Sequence, residues 1–112
     1  MLIHSHPLLD KNYQIRKRVQ SAYLNLLDIY VPDWMLQRAE YTLKKKGISV
    51  NFTSLAIAVY ILYKYELGIP HEAFLLLIRE TRTQWRKTFR KIKHAFFKVS
   101  ETDEDMIEVS LS

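Results

Sequence analysis

The chain has 112 residues, with 17 Lys and Arg against 12 Asp and Glu, and no cysteine. That length supports one hydrophobic core, and the missing cysteines exclude a disulfide framework, a thiol nucleophile and a cysteine-bound zinc. Two glycines and three prolines argue against a turn-rich all-β domain and against a phosphate-cradling glycine loop, while 48% hydrophobic residues argue against disorder.

A single all-α domain is expected, in five helices over residues 13–99, between an N-terminal arm (1–12) and an acidic tail (100–112). MLIHSHPLLD has no basic region leading into a long apolar run, so no secretory signal is read and an intracellular location is expected. Asp10 or Asn12 can cap a first helix. Its residues Ile15, Val19, Ala22, Tyr23, Leu26, Leu27 and Tyr30 recur at three- and four-residue steps and share one face.

Pro32 and Asp33 open a second helix with the stripe Met35, Ala39, Thr42 and Leu43. It closes at KKKG, where lysines meet the negative helix end and Gly47 can turn left-handed. Ser49, Asn51 or Thr53 can cap the third helix, SLAIAVYILYKYEL, which Gly68 and Pro70 stop. Its apolar run, Leu55 to Tyr63, is about half of what a bilayer crossing needs, so a buried helix rather than a membrane span is expected. A helix apolar on most sides belongs inside a bundle, and Ala56 and Ala58 let neighbours approach closely.

Pro70 starts a short fourth helix, HEAFLLLIRE, and Thr81-x-x-Gln84 has the spacing of a capping box that would begin a fifth helix running to about Val99. The remaining SETDEDMIEVSLS holds five acidic and no basic residues, with Ile107, Val109 and Leu111 alternating in a possible short strand.

Basic charge concentrates at one place. Arg79, Arg82, Arg86, Lys87, Arg90, Lys91, Lys93 and Lys98 fall in one segment that only Glu80 opposes. On a helical wheel Trp85, Phe89, Ile92 and Phe96 form an apolar face, and the cations spread over the opposite side. A surface that serves only solubility mixes both signs. A short helix, a tight turn and a basic helix opening on Arg82, Thr83 and Gln84 is the layout of a helix-turn-helix reader. The candidate DNA-binding residues are therefore Arg79, Arg82, Thr83, Gln84, Arg86, Lys87, Arg90, Lys91 and Lys93.

From about Ile15 to Phe97 the order of helices resembles one cyclin-fold repeat of the archaeal transcription factor B and eukaryotic transcription factor IIB family. The residues that carry the resemblance are Ala56, Ala58 and Tyr60 followed by Gly68 and Pro70, the step Thr88, Phe89, Arg90, and the helix-opening Pro32. The resemblance implies a third helix surrounded by the other four, binding of double-stranded DNA in transcription, and TATA-binding protein or RNA polymerase as protein partners. A complete factor also needs a zinc ribbon and two repeats, and this chain has neither the cysteines nor the room.

Other chemistry is weak. His4 and His6 lack a third ligand, His71 and His94 stand singly, and no nucleophile and base pairing is readable, so no metal, cofactor or catalysis is expected. Trp34 and Trp85, both at helix starts, are read as packing residues. The leading expectation is a DNA-binding transcription regulator. The alternative is a module that docks on TATA-binding protein or polymerase and competes with the full factor.

Overall fold

The computed structural model describes residues 10–81 and 84–97. Helix α1 spans Lys11–Leu27, α2 Asp33–Lys45, α3 Phe52–Leu67, α4 His71–Arg79 and α5 Trp85–Phe97. Among the described residues there is no strand. Residues 1–9 and 98–112, which include His4, His6 and the acidic tail with its possible strand, lie outside the described residues.

Each helix boundary has a local cause. Asp10 caps α1 by accepting the Asn12 backbone N–H at 2.9 Å, so residues 11 and 12 belong to the helix rather than to the arm. α1 ends earlier than its apolar spacing suggests. Asp28 turns left-handed at φ 56°, its N–H donating to the Leu24 carbonyl, and the Ile29 N–H closes the end on the Tyr23 carbonyl. A short polar side chain tolerates that conformation. Tyr30 consequently lies beyond the helix and is exposed, as is Leu26 within it.

Gly47 (φ 72°) and Gly68 (φ 66°) follow α2 and α3 in the left-handed region that a side chain would strain. At the start of α3, Asn51 and Ser54 form a reciprocal capping box with both hydrogen bonds at 2.9 Å.

α3 is the hub and packs against each of the other four helices. Residues 54 to 60 and Tyr63 are all buried, Ala56 and Ala58 completely. Tyr23 of α1 donates its hydroxyl to the Ala56 carbonyl at 2.8 Å. No helix among the described residues is long and apolar enough to cross a membrane.

One core feature escapes sequence reading. Arg16, on α1, is 7% exposed and lies between Asp10, at 2.8 Å, and Glu40 of α2. Glu40 also accepts from Asn12 and Lys44, each at 2.8 Å. This charged knot ties the start of α1 to the middle of α2.

Candidate nucleic-acid interface

The fifth helix is oriented by an aromatic wedge. Phe74 of α4 stacks on Tyr60 of the hub, with centroids 3.9 Å apart and planes 14° from parallel. Trp85 meets Phe74 edge to face at 6.3 Å, and Phe89 lies 6.0 Å from Phe74 and 6.2 Å from Tyr60. Ile92, one turn on, is completely buried. With Trp85, Phe89 and Ile92 turned to the core, the 100° step per residue leaves Arg86, Lys87, Arg90, Lys91 and Lys93 outward, and all five are exposed. The sequence-derived wheel is thus the observed one.

No carboxylate lies within α5. Among the described residues none of these five cations forms an ion pair. Arg86 alone has a neighbouring ring, its guanidinium 6.0 Å from the centre of Trp85. Arg86, Lys87, Arg90, Lys91 and His94 surround one shallow concavity on the helix surface. The face is about 20 Å long from the helical rise.

The remaining expected site residues divide differently. α5 begins at Trp85, so Gln84 precedes the helix instead of standing in its first turn. The expected capping box does not open the helix, because a cap at Thr81 would start it three residues before Trp85; the Thr81 hydroxyl donates back to the Ile78 carbonyl at 2.7 Å. Gln84 is exposed and lines a small depression with Trp85, Arg86 and Lys87. Arg82 and Thr83 lie outside the described residues. Arg79 is exposed in the last turn of α4, where a cation complements the helix end, and it is not part of the α5 concavity.

Trp34 is 56% exposed, with one edge against Tyr63 at 5.9 Å, so it is only half the packing residue expected. His71 bonds through Nδ1 to the Tyr60 hydroxyl at 3.1 Å. Among the described residues no three His, Asp or Glu side chains are placed to hold a metal ion.

Sequence reading missed a second polar surface beside α5. A groove runs between α1 and α5 over the start of α3, with Arg18, Phe52 and Thr88 in its walls. Its sequence signal was the composition of α1, which contains Lys11, Arg16, Lys17 and Arg18 and no carboxylate. Compared with protein-family models, with curated proteins and with solved structures, the chain matches none.

Proposed function

We propose that the protein is a DNA-binding transcription regulator that engages the phosphate backbone of double-stranded DNA through the exposed side of α5. The observation that carries this reading is the row of five exposed cations with no carboxylate partner among the described residues, on a helix whose other side is locked into the core. An exposed cation left without an intramolecular partner is available to displace the counterions of a polyanion. Arg86 and Lys87, in the first turn of α5, join Arg82, Thr83 and Gln84 as candidates for base edges, with Arg90, Lys91 and Lys93 as backbone contacts. The likeness to a transcription factor B repeat is supported by the hub position of α3.

A second reading, docking on TATA-binding protein or polymerase, is favoured by exposed Leu24 and Leu26 on α1 and Leu76 on α4, two helices that pack together. One titration separates the two. Duplex affinity that falls steeply with salt supports the first, and the slope of log K against log salt gives roughly one phosphate contact per 0.9. No measurable duplex binding at low salt, together with salt-resistant capture of either protein, would overturn it in favour of docking.

A further inference from the structure

α1 and α5 are the two helices of the bundle that contain no Asp or Glu, and both pack on α3. Between them lies the groove with Arg18 on one wall, Thr88 on the other and Phe52 and Thr53 at the start of α3. Arg18 is exposed, and its guanidinium sits 5.5 Å from the centre of the Phe52 ring. Packing against a ring limits the guanidinium's freedom and leaves its edge donors available to a phosphate.

Thr88 follows Lys87 directly and stands one turn before Lys91, so the groove opens along that edge of the basic face. Exposed Lys11, Gln14, Ser21 and Asn25 continue from Arg18 as a polar stripe along α1. A helix lying in a major groove about 12 Å wide has sugar-phosphate strands along both flanks, so a cation on a neighbouring helix can meet a phosphate beyond those that α5 contacts.

We propose that this groove is a second backbone contact for the same duplex, with Arg18 as its phosphate-binding residue extending the Lys87 and Lys91 flank. The proposal rests on the reading of α5 as the DNA face. Glu80 is the one carboxylate that lines the groove among the described residues, and it opposes a phosphate there.

The test is a salt titration of the full chain on a fluorescent duplex of about 20 base pairs. Arg18→Gln is expected to weaken binding several-fold at low salt and to reduce the slope of log K against log salt by roughly 0.9, the loss of one phosphate contact. Arg18→Lys keeps the charge and should retain the slope. Glu80→Gln should tighten binding. Lys45→Gln, which removes an exposed cation from α2, should leave the slope unchanged. Arg18→Gln and Lys45→Gln with equal slopes would mean a general effect of net charge and would overturn the proposal. If Arg90→Ala lowers the slope and Arg18→Gln does not, the groove proposal fails while α5 stands as the DNA face. If neither changes it, the α5 reading itself fails and the groove proposal with it. Circular dichroism of Arg18→Gln and Arg18→Lys, both at an exposed helical site, confirms that folded protein is compared.

Discussion

Two regions of the molecule concentrate charge, and they use it in opposite ways. Around Arg16 the charges are paired, since Asp10 and Glu40 hold the guanidinium while Asn12 and Lys44 hold Glu40, and Arg16 Nε alone of the guanidinium nitrogens is left without a partner among the described residues. Along α5 five cations face outward with no ion pair among the described residues. The first arrangement serves the fold, because removing one member strands a desolvated charge on another. The second holds no ion pair among the described residues, so it is expected to contribute little to the fold. A cluster's count of charges is therefore less informative than whether its charges are already satisfied.

The largest effect that can break this comparison is Glu40→Ala. Arg16 keeps Asp10, so a loss of about 3 kcal/mol is expected, at the low end for breaking a buried pair. For a domain of this size that is roughly 12–24 °C of melting temperature. A shift of only a few degrees would show that the knot is solvated and comparable to the α5 surface. Ala58→Leu tests the hub on which both regions are mounted. Adding a larger side chain at a fully buried position should cost about 1–3 kcal/mol, and unchanged thermal melting would refute the close approach of helices there.

Acid sharpens the same contrast. The Asp10 carboxyl is held below its ordinary 3.8, chiefly by the hydrogen bond from Arg16. For Glu40, burial pushes upward, but hydrogen bonds from Lys44, Asn12 and Arg16 outweigh it and the net shift is below 4.5. A depressed carboxylate contributes stability that is present above its unfolded value and lost as pH falls through the folded one. Urea midpoints should therefore decline progressively below about pH 4.5, and Glu40→Gln should flatten part of that decline. An unaltered pH dependence in Glu40→Gln would remove the knot from the account of acid stability.

The smallest effects on stability belong to α5. Arg90→Ala and Lys93→Ala should change stability by no more than about 0.5 kcal/mol, the usual range for surface substitutions. Each should nonetheless reduce the salt slope on any duplex by roughly 0.9. Melting shifts comparable to that of Glu40→Ala would place these cations in the fold and not at an interface.

Much of this organisation was legible in the sequence, for identifiable reasons. α3 announced itself through uninterrupted hydrophobicity, and Gly68 with Pro70 marked its end, because burial on all sides and a left-handed cap leave strong local signatures. The inward face of α5 followed from simple periodicity of Trp85, Phe89 and Ile92. The start of α5 did not follow, because Thr81 stands at capping-box spacing from Gln84 and also at the end of α4, where its hydroxyl donates to the Ile78 carbonyl. Arg16 and Glu40 were invisible as a pair, since they are 24 residues apart and a charged side chain gives no sequence sign of burial. The groove at Arg18 was hidden likewise, as its walls come from helices α1 and α5 and the start of α3, far apart in the chain.

The aromatic wedge has one consequence for motion. α5 has a single fully buried side chain, Ile92, and otherwise adheres through the half-buried Trp85, Phe89, Ala95 and Phe96. The hub α3 is buried along most of its first three turns. Opening free energy follows buried contact, so the backbone amides of α5 should exchange with deuterium well before those of α3. The helix proposed as the DNA face is then also the first unit expected to detach from the globule. Duplex DNA that holds α5 should slow its amide exchange while leaving the already slow amides of α3 almost unchanged.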